Sequence, residues 1–415
     1  MPKEEKIICG DSLEVLKDFE DNYFDSVVTD PPYGLAFMGK KWDYDVPKVE
    51  LWKEVYRVLK PGGHLLSFAG SRTYHRMAVN IEDAGFEIRD MLGWLYGSGF
   101  PKSHNIGKAV DKLQGNKREV VGKSKRHGGG KNFSSFGESL EKNSKPDITK
   151  GNSEYEGWGT ALKPAHEPIV MARKPFNKSV AENVLTHGTG GINIDECRVG
   201  TDGGTKKSDT KNWRESLGIY GDGLNGGGVE SLNEGRFPAN IIHDGSEEVL
   251  EIFPETNKSK SKTSNKGTIW GSKNENFREK GYDDKGTAAR FFYCAKASKA
   301  ERNMGLDDYE EKQVTDGTIR SNQETARTFG ANSAKRKNYH PTVKPIKLME
   351  YLVRLVTPKE GIVLEPFAGS GTTLIACKQQ GFQFVGIEKE QEYCDIAEAR
   401  LKSVQIQGTL FWKTT

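Results

Sequence analysis

Cysteine is scarce in this chain: 415 residues carry five, Cys9, Cys197, Cys294, Cys377 and Cys394. None forms a Cys-x-x-Cys pair, so the sequence indicates neither a structural zinc site nor a disulfide framework, and the expected role of these side chains is as small buried apolar groups. No metal is expected. Long hydrophobic runs are missing too; nothing approaches the roughly 18 apolar residues of a membrane span, hydrophobic content is 35% and mean hydropathy is −0.68. The opening residues Met1-Pro2-Lys3-Glu4-Glu5-Lys6 lack the apolar core of a secretory signal, so a cytoplasmic location without a membrane partner is expected. An overall excess of one charge is also lacking, since 61 Lys and Arg stand against 58 Asp and Glu for a net +3. Distribution says more than the sum. Twelve basic against seven acidic residues give +5 between Pro101 and Thr160, and seven against two give +5 again between Lys258 and Lys280. Runs such as Lys123-Ser124-Lys125-Arg126 and Lys335-Arg336-Lys337 suit phosphate contacts, and they suit a solvated surface loop equally well.

The length exceeds one ordinary α/β domain, so the surplus must be insertion or a second module. Strand and helix alternate from the start: Lys6–Gly10 strand, Ser12–Asp18 helix, Phe24–Thr29 strand, Val49–Leu59 helix stopped by Lys60-Pro61-Gly62-Gly63, then the strand His64–Phe68. This repeat feeds a parallel sheet. A helix over Thr73–Ala84 leads to a strand over Phe86–Trp94, with Glu167–Ala172 returning beside it as a hairpin. Residues 101–160 interrupt that hairpin as a basic, flexible insertion, including the polar stretch His127-Gly128-Gly129-Gly130-Lys131-Asn132 that cannot build a core. Residues 1–100 with 161–173 then form the first half of the α/β domain, and residues 340–415 the second half. Between them, 174–339 shows only short apolar patches such as Phe237–Ile242 and Arg290–Tyr293, separated by polar and glycine-rich loops as at 221–228, and reads as a small irregular module.

Two motifs carry chemistry. Asp30-Pro31-Pro32-Tyr33 follows the apolar run Phe24–Thr29, and a strand of this kind ends at the carboxyl edge of an open sheet, where ligands bind. Two prolines fix φ near −65° and donate no N–H. The Asp30 carboxylate and the Pro31 carbonyl supply two acceptors beside the flat face of Tyr33, which is what a planar exocyclic amine needs to become a nucleophile. Far downstream, Ile362–Glu365 reads as a buried strand followed by Pro366-Phe367-Ala368-Gly369-Ser370-Gly371-Thr372-Thr373, a glycine-rich turn opening a helix. Gly369 and Gly371 permit close backbone approach, and the helix N-terminus favours an anionic group. The next strand, Phe382–Ile387, ends in Glu388, seventeen residues after Gly371 and near the spacing at which dinucleotide folds present an acid to ribose hydroxyls. An oxidoreductase shares such a turn.

Together, Asp-Pro-Pro-Tyr, Phe-Ala-Gly-Ser-Gly and His340-Pro341-Thr342-Val343-Lys344-Pro345 resemble the S-adenosylmethionine-dependent DNA amino-methyltransferases of adenine N6 and cytosine N4. With the catalytic loop first and the cofactor loop last, the order resembles the family's beta group. The resemblance implies a doubly wound, mostly parallel, seven-stranded Rossmann-like α/β sheet in circularly permuted order. It implies S-adenosyl-L-methionine as cofactor, double-stranded DNA as partner, a homodimer, a cognate restriction endonuclease, and target recognition by 174–339. It assigns Asp30, Pro31, Pro32 and Tyr33 to catalysis on a flipped-out base. It assigns Glu365, Phe367, Ala368, Gly369, Ser370, Gly371 and Thr372 to the cofactor loop, Glu388 to the ribose, Asp11 to the adenine, and Thr342 with Lys344 to the methionine carboxylate. Asp11 also reads as a helix N-cap, and Phe292 and Tyr293 read as core or as support for the flipped base. Glu365 stands where the family usually has Asp. Asp at the first position of the catalytic loop resembles the adenine enzymes; cytosine N4, RNA or protein-amide methylation, and a DNA-binding module with a vestigial cofactor site are the alternatives.

Overall fold

The computed structural model describes residues 4–35, 43–99, 103–123, 147–200, 235–257, 261–262, 279–280, 285–295, 299–314 and 334–404. The basic run beyond Lys123, the stretch 127–132, the loop 221–228 and most of 258–280 lie outside the described residues. One sheet dominates. Its strands are β1 (Glu5–Cys9), β2 (Phe24–Thr29), β3 (Leu59–Phe68), β4 (Glu87–Leu95), β5 (His166–Arg173), β6 (Ile241–His243), β7 (Tyr293–Cys294), β8 (Ile362–Glu365) and β9 (Gln383–Glu388). Their spatial order is β1-β9-β8-β2-β3-β5-β4-β6-β7. Every neighbouring pair is parallel except those of β5, which runs antiparallel to both β3 and β4.

β2 is buried along its whole length, as a central parallel strand covered on both faces must be. The pleat sends Val27 and Val28 to opposite faces. Val27 packs with Leu65, Trp52 and Val55 beneath α2 (Val49–Val58) and α3 (Tyr74–Asp83), which follow α1 (Ser12–Val15) in the chain, while Val28 packs with Leu66, Phe68, Leu348 and Leu352 beneath α4 (Ile346–Val356). The polar residues of β2 are each paired. Asp25 accepts from Lys60 Nζ at 2.6 Å and from the Ile362 N–H at 2.8 Å, Ser26 meets the Thr357 hydroxyl at 2.8 Å, and Thr29 donates to Glu365. A strand reading Phe-Asp-Ser-Val-Val-Thr thus sits in the middle of the sheet because its neighbours satisfy every side chain that water would otherwise hold.

Two features differ from expectation. The Lys60–Gly63 segment does not separate α2 from β3; it is the first part of β3. Gly62 donates to the Lys174 carbonyl and Lys174 donates back to Gly63, both at 2.9 Å, and the β2–β3 register shifts between Phe24 and Ser26 to absorb the extra length. The middle region also contributes β6 and β7, which extend the seven expected strands to nine. Three- and two-residue strands show no period of their own. They form because β4 offers a free edge, pairing Gly93 with Ile241 and Leu95 with His243. Within the insertion after β4, a helix (Ile106–Gln114) and a two-stranded hairpin (Glu119–Lys123 with Asp147–Lys150) are held by Arg118, whose guanidinium pairs with Asp111 and Glu156. Among the described residues no helix is long and apolar enough to cross a membrane.

The two ends of the chain meet in this sheet. β1 pairs in parallel with β9 over Glu5↔Phe384 to Cys9↔Glu388, and the Gly10 N–H continues to the Glu388 carbonyl at 2.9 Å. Deleting residues 1–12, or the last thirty, should therefore abolish binding of S-adenosylmethionine in calorimetry; retained affinity would refute a pocket assembled from both ends.

Candidate active site

The carboxyl ends of β1, β9, β8 and β2 open onto one cavity of about 1460 Å³. The turn after β2 forms one wall. Pro31 and Pro32 stiffen it, and two outside groups fix the residues after them: Asp43 accepts the N–H groups of Tyr33 and Gly34 at 2.7 and 3.0 Å, and the Thr73 hydroxyl donates to the Tyr33 carbonyl at 2.6 Å. Among the described residues none donates to the Pro31 carbonyl.

Asp30 is engaged at both oxygens. Oδ1 accepts from the Tyr33 hydroxyl at 2.6 Å and Oδ2 from Lys344 Nζ at 2.6 Å. Lys344 also reaches the Tyr33 hydroxyl at 3.1 Å and Glu167 Oε2 at 3.2 Å, and lies 4.7 Å from the Phe68 ring centroid. Burial works against the charge on Lys344, but the carboxylates of Asp30 and Glu167 outweigh it and hold its pKa above the ordinary lysine value. Burial, reinforced by the same two carboxylates, pushes the Tyr33 phenol well up. The family resemblance puts Lys344 at an anionic end of the cofactor; in the structure its ammonium rests on the carboxylates of Asp30 and Glu167.

The opposite wall is the turn after β8. Gly369 adopts φ +52°, and a Cβ there would stand 2.8 Å from His340 Nε2, so the turn closes against an imidazole only if the residue is glycine. The Thr342 carbonyl, which can only accept, lies 3.0 Å from His340 Nδ1, so that nitrogen carries the proton. Burial pulls His340 down to about 4, leaving the ring neutral. Glu388 closes the turn from β9, accepting the Gly369 N–H on Oε2 and the Glu390 N–H on Oε1, both at 2.8 Å. Burial raises its pKa, against those two donors. Asp11 caps the helix Ser12–Val15 through the Leu13 N–H at 3.1 Å and pairs with Lys389 at 2.9 Å; that ammonium, ahead of the opposing burial, holds the carboxyl below its usual range.

Glu365 joins the two walls. Its carboxyl accepts from the Thr29 hydroxyl at the end of β2, from the Thr373 hydroxyl at 2.6 Å and from the Phe367 N–H at 3.0 Å. Burial raises its pKa to about 7 despite these three donors. Beneath the turn, the fully buried Arg400 donates to the Ser370 carbonyl and hydroxyl and to the Thr372 hydroxyl.

Of the residues singled out from sequence, Asp11, Asp30, Pro31, Pro32, Tyr33, Thr342, Lys344, Glu365, Phe367, Ala368, Gly369, Ser370, Thr372 and Glu388 line this one cavity. Gly371 does not. It takes φ +78° as N-cap of the helix Thr372–Gln380, with Ala397 where its Cβ would be, 2.9 Å away. Phe292 and Tyr293 are not on the cavity wall either; Tyr293 stacks on Tyr351 at 4.1 Å and Phe292 lies 5.2 Å from Phe253. Sequence reading missed Glu167 and the packing role of His340. The only local signal for Glu167 was an acid at the mouth of an otherwise apolar strand.

The sequence model described as DNA methylase matches residues 24–399. Among curated relatives, the type II methyltransferase M.HindIII of Haemophilus influenzae is 24% identical over 357 residues, which is 85% of this chain and 68% of that protein. Among solved structures, the putative DNA modification methylase TTHA0409 of Thermus thermophilus, complexed with S-adenosyl-L-methionine, is 16% identical at TM-score 0.39, covering 98% of this chain and 96% of that one. The cytosine-N4-specific PvuII DNA methyltransferase is 14% identical at TM-score 0.42, covering 98% and 89%.

Glu365 makes stability depend on pH in a definite direction. Its folded pKa, about 7, lies above the ordinary 4.5, so the stabilisation from keeping it protonated is complete below pH 4.5 and is lost as pH rises through 7. At 1.36 kcal/mol per unit, the loss is roughly 3 kcal/mol. Denaturant unfolding across that window should show wild type losing about this much relative to Glu365→Gln; parallel curves would refute it.

Proposed function

The chain belongs to the N6/N4 DNA methylase family, and we propose that it transfers the methyl group of S-adenosylmethionine to an exocyclic amine of a base in double-stranded DNA, adenine N6. The observation that carries this reading is the opposition, across one cavity of about 1460 Å³, of an acid-proline-proline-tyrosine turn and a glycine turn closed by an acid. That volume exceeds the roughly 300–1,000 Å³ of a usual small-molecule site, leaving room for a nucleoside-sized cofactor together with a target base. The residues fit the cofactor: Gly369 leaves no Cβ in the turn, and Glu388 brings a carboxylate to the end of β9, where ribose hydroxyls would be received.

A base amine inside a duplex cannot reach a carboxylate at the floor of this cavity, so the target nucleotide must leave the stack. Tyr33, its hydroxyl held by Asp30, is the proposed surface against which the base rests. Asp30 and the Pro31 carbonyl accept the two amine N–H groups, which localises the nitrogen lone pair and stabilises the positive charge that develops there. S-adenosylmethionine, when bound, supplies an electrophilic methyl on a sulfonium whose departure leaves a neutral thioether. What remains for the protein is alignment and acceptance of a proton, with Asp30 or water as the acceptor. The Asp at position 30 favours adenine over cytosine. M.HindIII is a type II methyltransferase, and on that likeness we extend the proposal to a cognate restriction endonuclease; a homodimer belongs to the same reading.

Incubation with labelled cofactor and DNA from a methylation-free host, followed by nucleoside analysis, should yield N6-methyladenine. N4-methylcytosine would transfer the proposal to cytosine, and label confined to RNA or protein would overturn it. Asp30→Ala should cut the single-turnover rate by about 10²–10⁴-fold while cofactor affinity is retained; an undiminished rate would remove Asp30 as the amine acceptor.

A further inference from the structure

Beside Asp30 stands a second carboxylate, on a different strand, that the proposed chemistry does not use. Glu167 enters β5 next to the end of β3, and its Oε2 lies 3.2 Å from Lys344 Nζ and 3.1 Å from the Tyr33 hydroxyl. Tyr96, just past the end of β4, lies close by: burial, reinforced by the Glu167 carboxylate, pushes its phenol well up. The group is sheltered: side-chain exposure is 7% for Lys344, 14% for Asp30 and 20% for Glu167. Two carboxylates therefore share one ammonium at the floor of the cavity.

This sharing meets a difficulty in the amine chemistry. As the site stands, Oδ1 of Asp30 is held by Tyr33 and Oδ2 by Lys344, and an ammonium 2.6 Å from Oδ2 cancels the negative charge that a nitrogen becoming positive would need. Lys344 must withdraw from Asp30 for that charge to act. Withdrawal to nowhere would strand a buried ammonium, which is strongly unfavourable. Glu167 removes the obstacle, because Lys344 already touches it and has three protons to donate.

We propose, building on the methyl-transfer reading, that Glu167 is a positioning residue that takes over the Lys344 ammonium from Asp30 when the target amine arrives, so that the amine replaces Lys344 on Asp30 Oδ2. No covalent bond changes in this step; one charge-assisted hydrogen bond shortens as another is released. Tyr33 keeps its bond to Oδ1 throughout and holds the turn in place. Lys344 therefore acts as a counter-ion that guards Asp30 until a base is present, rather than as a cofactor ligand.

The test is single-turnover methylation by the full chain with S-adenosylmethionine and duplex DNA. Glu167→Gln leaves Lys344 with Asp30 as its only carboxylate, so the rate should fall about 100-fold while calorimetric affinity for the cofactor stays at the wild-type value. Adding Lys344→Gln to that variant releases Asp30 and should recover about tenfold of the loss, a gain that a merely structural Glu167 would not give. Glu167→Asp, which keeps the charge, should retain most of the rate, and it serves as the folding control. A wild-type rate in Glu167→Gln, or a double variant no faster than the single, overturns the exchange. No DNA methylation by the wild-type chain would overturn the parent reading together with it; wild-type methylation without rescue overturns the exchange alone.

Discussion

Everything at this site depends on one strand pairing, that of β8 against β2. Only Val363↔Ser26 and Leu364↔Val27 define it as a ladder, yet it brings segments more than three hundred residues apart into parallel register, so that both end at the same edge. Parallel pairing is what matters: two strands running the same way release their following turns on the same side, whereas an antiparallel pair would send the Asp-Pro-Pro-Tyr turn and the glycine turn to opposite ends. Side chains reinforce the pairing at three levels, through Asp25 on the Ile362 N–H, Ser26 on Thr357, and Thr29 on Glu365. The polar residues of a buried strand thereby specify which neighbour it accepts.

Burial of charge is the second constraint. Glu365, Glu388, Lys344 and Arg400 are all nearly or fully enclosed, and each is held by several donors or acceptors rather than by one. Multiple partners keep the geometry fixed when one contact is exchanged for another, which a site that must admit two ligands requires. Their pKa directions reflect how fully the partners offset burial: Glu365 is raised to about 7 in spite of three donors, whereas Lys344, with two carboxylates, stays above the ordinary lysine value.

The α/β class was legible because it rests on local signals: apolar runs of strand length, amphipathic helices between them, and turn residues at strand ends; the permuted order that joins the two chain ends in one sheet came only from the family resemblance. Most of the cavity wall was legible too, since Asp30–Tyr33 and Phe367–Thr372 are contiguous segments that carry their own backbone constraints. Less legible were β6 and β7, which are too short to show a period and exist only against the edge of β4. The surroundings of Gly371 and Lys344 were hidden for a related reason. A glycine beside a ligand turn and a glycine against Ala397 look the same in sequence, and the partner of a long cationic side chain is set by which carboxylates the fold brings within its reach.

By itself the sequence determined that an Asp-Pro-Pro-Tyr turn and a glycine turn exist, that each comes after a buried strand, and that the glycine turn comes last in the chain. It did so because strand periodicity, proline rigidity and glycine freedom act over a few residues. Only the tertiary structure decided that Glu167 stands 3.2 Å from Lys344 and that His340 closes against Gly369. Those contacts join elements separated by 177 and 29 positions (344 − 167 and 369 − 340). Residues so far apart become neighbours through strand order and register, which no local pattern encodes.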